Sequence, residues 1–281
     1  MNPILVIAGL TVREAVRRKL LAAFLAITVI VVGLSAWGFD RLARTSSLTS
    51  GERNLAVPQA LILFVFMFSF VVALSASAIA SPSVSSEVDS GVLLTIVTRP
   101  VRRAEVLLGK WLGLAGLLFL YACAVCALEF AVVDAVGGFL PPSPVLVALY
   151  LFAEGALLLT LTLFLSTRLS AIAGGVISVA VFGAGWLAGV VGTLGTSLNI
   201  SALRTIGQVG RYLIPTDGLW HGAIYHLSPA SLIVQHLVEG GRAGDPFVAS
   251  SAPSWAYLAW VLCWFLIVLA AGLVSFERGE L

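Results

Sequence analysis

The chain has 281 residues, of which 59% are hydrophobic and only 11% are charged, and its formal net charge is +2. Soluble globular domains carry roughly 25% charged residues, so this composition excludes that class. The small net charge gives no indication of a nucleic-acid partner.

Six predominantly apolar stretches of the sequence, 18 to 35 residues long, contain no Asp, Glu, Lys, Arg or His residue. A helix needs about 20 apolar residues to cross the hydrocarbon layer of a membrane. Because lipid offers no hydrogen-bond partners, each spanning segment must pair its own backbone groups, as a helix does. We therefore predict an all-α polytopic membrane protein of one domain, residues 1–281. Its six transmembrane helices are placed at residues 20–38, 59–81, 106–130, 145–166, 172–194 and 256–274.

Residues 4–19, ahead of the first span, show helical periodicity. Ile4, Ile7 and Val12 fall near one side, whereas Arg13 and Arg17 supply a basic side. A helix with this pattern lies in the membrane surface, with its cations near the anionic inner leaflet. We predict such an interfacial helix over residues 4–19. The alternative is a charged flank of the first span.

The distribution of Lys and Arg predicts the orientation of the spans, because short cytoplasmic loops retain these residues. With the N-terminus inside, ten of the 16 Lys and Arg residues fall in cytoplasmic segments. Of the six in outer segments, three lie in a long loop, where the rule is weak. Both termini and residues 86–110 are therefore predicted to be cytoplasmic.

Residues 86–97, between the second and third spans, form the next predicted element. Ser86 and Asp89 match the cap pattern [ST]-x-x-[DE] of a helix start, and Val92 and Ile96 continue an apolar side. A proline at residue 100 disfavours helical geometry just before it. We therefore predict a short cytoplasmic helix that ends before this proline.

Charged residues flank this predicted helix, with acidic residues near its start and basic residues after its end. They are Glu87, Asp89, Arg99, Arg102 and Arg103. An apolar side exposed to water indicates a docking partner, and charges at both ends would orient that partner. The alternative is a loop helix that packs against the inner surface of its own bundle.

The outer loop, residues 195–255, is too long to be a plain connector. Within it, Leu203 and Ile206 share one helical face, and Arg204 and Arg211 share the opposite one. A second helical pattern covers residues 229–239, and the residues LIPTDGLW between the two patterns are typical of a turn. We predict two short amphipathic helices on the outer membrane surface.

Residues 87–110 follow the pattern E-x-x-S-G-x-L-x-x-x-x-x-R-P-x-x-R-x-x-x-L-x-G-K. This pattern resembles the loop between the second and third spans of ABC-2-type permeases, and is most similar to their NosY-like branch. The resemblance extends to the basic helix before the first span, the six spans, a Ser-Thr turn at residues 166–170, and Pro-Thr-Asp at residues 215–217.

The resemblance implies a homodimer of permeases in the plasma membrane, with an ATP-binding subunit docked on each copy. Residues 86–97 would then be the coupling helix, with Glu87 and Arg99 as polar anchors and Val92 and Ile96 as buried ones. The turn at residues 166–170 would be a second, smaller contact. The family also implies export, with an amphipathic or hydrophobic cargo or a maturation factor.

The energy source is expected in the partner subunit. The sequence has no G-x-x-x-x-G-K-[ST] loop to hold phosphates, since Lys110 is followed by Trp111. We therefore expect no enzymatic activity and no bound cofactor in this chain. ATP and Mg²⁺ would be used by the ATP-binding subunit.

Two features inside the predicted spans are candidate functional sites. Glu154 lies near the membrane midplane, where an ionisable group is costly and indicates a substrate path or gate. Gly185, Gly189 and Gly192 lie near one face of the fifth span and permit close helix packing. They indicate either a dimer seam formed with the first span or packing within one bundle.

Metal binding is not predicted. Cys123 and Cys126 form a C-x-x-C pair without a third ligand, and buried cysteine also acts as a small hydrophobic residue. The three histidines, His221, His226 and His236, are close in sequence, but the spacing of the first two does not place them on one helical face.

Two other classes remain as alternatives to a permease subunit. A secondary transporter would show paired ionisable groups in the membrane and an internal repeat, and Glu154 alone supports it weakly. A membrane-embedded enzyme needs convergent polar groups within the bilayer, whereas all three histidines lie outside the predicted spans.

Overall fold

The computed structural model describes residues 2–17, 19–45, 49–89, 102–238 and 245–278. In these ranges the chain is all-α. Its helices are α1 (Pro3–Arg17), α2 (Lys19–Arg44), α3 (Ser50–Asp89), α4 (Arg103–Gly137), α5 (Pro144–Ser166), α6 (Ala171–Ser197), α7 (Ser201–Leu213), α8 (Thr216–Leu227), α9 (Ala230–Val238) and α10 (Trp255–Glu277).

Within the described part of the chain, six helices are long and apolar enough to cross a membrane. Their spanning segments are Leu21–Arg44, Gly51–Val84, Arg103–Gly137, Pro144–Ser166, Ala171–Ser197 and Trp255–Glu277. The predicted all-α class with six spans is thus confirmed. The helices extend past the apolar runs because polar flanks can continue a helix until a cap ends it. Helix α4, for example, ends at Gly137 and is capped by Gly138 in the left-handed conformation (φ 63°).

One end of the bundle, which we call the α1 end, joins α1, the end of α3, the start of α4 and the ends of α5 and α10. Its buried cluster includes Ala15, Val84, Val106, Leu163 and Phe276. The chain between α3 and α4 therefore leaves and re-enters the bundle at this end. The turn between α5 and α6 lies there too.

The opposite end, which we call the α8 end, is formed around α8. Its buried cluster joins α2, α3, α4, α5 and α8 through residues that include Phe39, Val57, Val133, Val147 and Trp220. The long loop between α6 and α10 therefore returns into the bundle instead of lying only on the membrane surface.

Helix α1 covers the region of the predicted interfacial helix and packs closely against α4. A Cβ on Gly109 would lie 2.7 Å from the Cβ of Ile7, and a Cβ on Gly113 would lie 2.6 Å from the carbonyl oxygen of Ala8. Small residues four apart permit such close approach between membrane helices. The periodicity predicted the helix but not this seam with the third span.

The end of α3 differs from the sequence prediction. We expected the second span to end at residue 81 and Ser86 to cap a new helix, but α3 continues without interruption to Asp89. A membrane helix tolerates an internal proline, here Pro82, where neighbouring helices supply hydrogen bonds. Lys110 of α4 donates to the carbonyl oxygen of Ser83, the residue after this proline, and so joins the last turns of α3 to α4. The predicted cap at Ser86 is therefore wrong.

The outer loop also differs from the prediction, since its described part contains three helices and not two. The expected turn is largely helical, because α8 begins at Thr216 and places Asp217 in its first turn. A carboxylate there interacts favourably with the helix N-terminus. Only Ile214 and Pro215 separate α7 from α8.

Candidate functional site

The predicted coupling residues lie at the α1 end where they are described. Glu87 and Asp89 belong to the last turn of α3. Three others, Val92, Ile96 and Arg99, lie outside the described residues. Arg102 precedes α4, and its backbone N–H donates a 3.0 Å hydrogen bond to the carboxylate of Glu105. Arg103 is the first residue of α4 and is half-buried.

Side chains of α3 fix its last turns to the neighbouring helices. Besides the Lys110 bond to Ser83, the hydroxyl of Ser81 donates to the carbonyl oxygen of Ala171, and that of Ser77 donates to Gly175 at 3.1 Å. The helix that leads into residues 90–101 is therefore attached to both α4 and α6. Sequence reasoning missed Lys110, although a lysine inside an apolar span was the available signal.

Residues 166–170, the predicted second contact with the ATP-binding subunit, form hydrogen bonds with α10. Arg168 Nε donates a 2.8 Å hydrogen bond to the Ser275 hydroxyl, and its Nη2 donates to the Ser275 carbonyl oxygen at 3.3 Å. The hydroxyls of Thr167 and Ser275 are 2.8 Å apart. A force on this turn would thus reach α10 as well as α5 and α6.

Glu154 lies on α5 inside the bundle, with only 4% of its surface exposed. Its Oε2 accepts a 2.7 Å hydrogen bond from the hydroxyl of Ser69 on α3. Within the described part of the chain it forms no salt bridge. Asp217 of α8 is close enough to interact with it electrostatically. The structure therefore brings together two buried acids that are 63 positions apart in the sequence.

Asp217 differs from Glu154 because an imidazole and a guanidinium lie near it. Its Oδ2 is 3.5 Å from Nδ1 of His221, and the guanidinium of Arg211 is also near. Burial raises the pKa of Asp217, while His221 and Arg211 oppose that rise. Arg211 in turn lies 4.8 Å from the ring centroid of Tyr257 on α10.

Aromatic residues in the first half of α10 form hydrogen bonds with the end of α7. Trp260 Nε1 donates to the carbonyl oxygen of Tyr212, and Trp264 Nε1 donates to that of Leu213, both at 2.9 Å. The hydroxyl of Tyr257 donates to the carbonyl oxygen of Pro215 at 3.0 Å. These side chains therefore fix the end of α7 and the short link between α7 and α8.

A group of aromatic rings lies between α3, α6 and α8 and was not predicted. The Phe66 ring is at its centre, with ring centroids 4.8 to 5.6 Å away on four neighbours. These neighbours are Phe70, Trp186, Trp220 and Phe247. The available sequence signal was aromatic residues four apart in two spans, Phe66 with Phe70 and Phe182 with Trp186.

The glycines predicted to line a dimer seam instead face helices of the same chain. A Cβ on Gly185 would meet Ile214 and Thr216, one on Gly189 would overlap the Asp217 carboxyl, and one on Gly192 would lie 2.9 Å from Cα of Gly207. These positions are therefore occupied by α7, α8 and the link between them. Packing within one bundle is correct for this face, because α7 folds back along α6.

The remaining sequence candidates do not form a metal site in the described residues. Glu129 is fully buried, and its Oε1 accepts a 2.6 Å hydrogen bond from the hydroxyl of Ser35 on α2. Cys123 and Cys126 are free thiols on α4. His226 stacks on Tyr150 at 5.6 Å between ring centroids. The side chain of His236 lies outside the described residues.

Similarity to a known protein family agrees with this architecture. A comparison with curated proteins gave no match. A family model described as ABC-2 family transporter protein matches residues 5–281, which is nearly the whole chain. ABC-2 membrane proteins generally work with ATP-binding subunits. The six spanning helices and the match over almost their full extent show that this chain belongs to the ABC-2 transporter family.

Proposed function

We propose that this chain is the permease subunit of an ATP-driven exporter of the NosY-like branch, with both termini in the cytoplasm. Membership of the ABC-2 family supports a permease role. The excess of Lys and Arg in the segments at the α1 end supports placing that end on the cytoplasmic side of the plasma membrane. ATP and Mg²⁺ would be bound by a separate subunit, and this chain would hydrolyse nothing.

The attachment of α3 at the α1 end carries this proposal. Residues 86–97 would dock on the ATP-binding subunit, with Val92 and Ile96 buried in it and Glu87, Asp89, Arg99, Arg102 and Arg103 around them. The hydrogen bonds from Lys110 and Ser81 join the end of α3 to α4 and α6. A displacement of the docked segment would therefore move three spans together and not one loop.

We propose that two copies of the chain assemble with two ATP-binding subunits. Helices α2 and α6 both pack against α3, and only 22% of the most apolar 18-residue window of each is buried in one copy, compared with 11% for α10. Large apolar side chains such as Ile30 and Leu34 on α2 and Val176 on α6 are exposed. A second copy or lipid would cover these exposed faces, so the partner copy is expected against them and not on the glycine face.

The test is copurification of this chain from its native membrane with an ATP-binding subunit. Val92→Asp and Ile96→Asp should abolish the complex, because each places a charge in the buried contact. Leu94→Asp is the matched control, since helical geometry puts residue 94 on the opposite side of the same segment. Complexes that survive both Val92→Asp and Ile96→Asp would contradict the coupling assignment.

A secondary transporter is the second candidate, favoured by the proximity of Glu154 and Asp217. It predicts that the chain alone, reconstituted in vesicles, transports its cargo when only an ion gradient is applied. The permease hypothesis predicts no net transport under those conditions, and transport on addition of the ATP-binding subunit with ATP and Mg²⁺.

A further inference from the structure

Glu154 and the aromatic group around Phe66 share one side of α3. Phe66, Ser69 and Phe70 are three and four residues apart, so their side chains lie on the same face of the helix. Ser69 donates to the Glu154 carboxyl, while Phe66 and Phe70 lie in the ring cluster. The fold thus places a buried acid beside a set of aromatic faces. We call Phe66, Phe70, Trp186, Trp220 and Phe247 the aromatic cage.

The Glu154 carboxyl has no cationic neighbour of its own. Ser69 is its hydrogen-bond donor, and no Lys, Arg or His in the described ranges forms a salt bridge with it. Asp217, by contrast, interacts with both His221 and Arg211. A buried carboxylate is costly unless a positive charge compensates it. Within the described chain, Glu154 therefore has a hydrogen-bond donor but no charge partner.

Hydrogen-bonding groups around the cage are also unused. In the described structure, Trp186 Nε1, Trp220 Nε1 and Thr216 Oγ1 are buried without a hydrogen-bond partner. Trp220 and Thr216 are only 2% and 3% exposed. Thr216 Oγ1 would lie 2.9 Å from a Cβ on Gly185, the residue before Trp186, so it lies at the same helix crossing. Buried polar groups are normally paired, which indicates that a ligand atom or water completes them.

The exposed fractions of the cage residues indicate how a ligand would enter. Trp220 is buried and forms the back of the cage, whereas Phe66, Phe70 and Trp186 are half-buried. The last three lie on α3 and α6, and each keeps part of its surface exposed in one copy. A ligand dissolved in the membrane could therefore reach the rings laterally.

We propose that this site binds an amphipathic organic cation. Its positive charge lies beside Glu154, its apolar body packs on the faces of Phe66 and Trp186, and an oxygen acceptor on it pairs with the indole N–H groups. Aromatic faces attract cations through the ring quadrupole, and this attraction is strongest where water is excluded. The identification of this cation as the cargo rests on the proposed transport function, but its binding does not.

The experiment measures equilibrium binding to the purified full-length chain in lipid nanodiscs, without an ATP-binding subunit. The probes are rhodamine 6G, a cationic dye with carbonyl and ether oxygens, and Nile red, an uncharged apolar dye. Fluorescence anisotropy should show saturable rhodamine 6G binding that Glu154→Gln weakens at least about tenfold, because a buried charge pair is lost. Nile red binding should change little in that variant.

Glu129→Gln is the matched control. Glu129 is also a buried acid that accepts a hydrogen bond from a serine, but it lies between α2 and α4 and not at the cage. This variant should bind rhodamine 6G like the wild type. A second pair tests the rings. Trp186→Phe should lose part of the affinity, because the indole N–H is removed, and Trp186→Leu should lose clearly more, because only phenylalanine keeps an aromatic face.

Several outcomes would overturn the proposal. They are the absence of saturable rhodamine 6G binding, equal losses in Glu154→Gln and Glu129→Gln, and retained affinity in Trp186→Leu. Size-exclusion profiles of each variant identify misfolding, and the Trp186 pair decides the outcome if Glu154→Gln does not fold. Dye binding without a copurifying ATP-binding subunit would support the site and contradict the permease proposal. Copurification without dye binding would support the permease proposal and contradict the proposed binding site.

Discussion

Gly113 of α4 lies directly against the backbone of Ala8 of α1, such that a Cβ on Gly113 would be 2.6 Å from the Ala8 carbonyl oxygen. A Cβ on Gly109, one turn earlier, would likewise lie 2.7 Å from the Cβ of Ile7 and 2.9 Å from the carbonyl oxygen of Ile4. The N-terminal helix is therefore attached to the third span by a seam that tolerates no side chain. Any movement of α4 at the α1 end would carry α1 with it.

Gly113→Ala should weaken this attachment. The added methyl group meets backbone atoms that cannot rotate away, and overpacking of this kind costs about 1–3 kcal/mol. Unfolding in mixed micelles, followed by tryptophan fluorescence, measures the free-energy change. Gly116→Ala on the same helix is the control, because no heavy atom would lie within 4 Å of its Cβ in the described structure. Equal destabilisation by both variants would show that the seam is not tight.

Gly189→Ala should displace the side chain of Asp217, which occupies the space that the new Cβ requires. We expect a loss of stability of about 1–3 kcal/mol and a change in the environment of α8. Gly183→Ala is the control in the same helix, since nothing described lies within 4 Å of its Cβ. Hydrogen exchange at residues 216–220 should rise only in Gly189→Ala. Unchanged exchange there would contradict the close packing of α6 on α8.

The hydrogen bond from Ser35 to Glu129 can be tested by a double-mutant cycle. Ser35→Ala leaves the buried carboxyl without its 2.6 Å donor and should cost about 1–3 kcal/mol. Ser35→Ala combined with Glu129→Leu should cost less than the serine change alone, because both polar partners are then removed. The measurement is the free energy of unfolding in micelles. Strictly additive losses would mean that the two groups do not interact in the folded protein.

His226 should make the protein less stable as the pH falls. Burial lowers the pKa of His226 below its usual 6.5. The unfolded chain then binds more protons than the folded one below that value, so stability decreases as the pH drops through this window. The thermal midpoint of wild type should therefore fall more between about pH 7.5 and about pH 5.5 than that of His226→Phe.

The phenylalanine in this variant retains an aromatic ring against Tyr150, so that packing is largely preserved. The raised pKa of Asp217 acts in the opposite direction, because protonation of that acid favours the folded state, but it is common to both proteins. Identical pH profiles for wild type and His226→Phe would contradict the assignment of a lowered pKa to His226.

The sequence predicted those features whose physical cause lies in residues that are neighbours along the chain. Each span must place about 20 residues in lipid, so a continuous apolar run indicates its position in the sequence. The loop pattern from Glu87 to Lys110 was enough to indicate the ABC-2 family, which the match over residues 5–281 then showed. Glu154 was recognisable because a charge within an apolar run stands out.

Sequence reasoning failed where distant segments meet. The expected helix start at Ser86 follows a valid local rule, but the hydrogen bond from Lys110 supports α3 beyond Pro82. The glycines of α6 could have served either a second copy or the same chain. Only the path of α7 back along α6 decides between them.

The candidate site is one of the features that depend on contacts between distant segments of the chain. The sequence alone determined that the chain crosses a membrane six times and carries an acid within it, because hydrophobicity and charge act residue by residue. The tertiary structure decided that Ser69 of α3 binds that acid, that α8 enters the bundle beside it, and that rings from three helices surround the same place. Such contacts depend on which sides of the helices face one another, and helix faces are chosen by packing over the whole bundle.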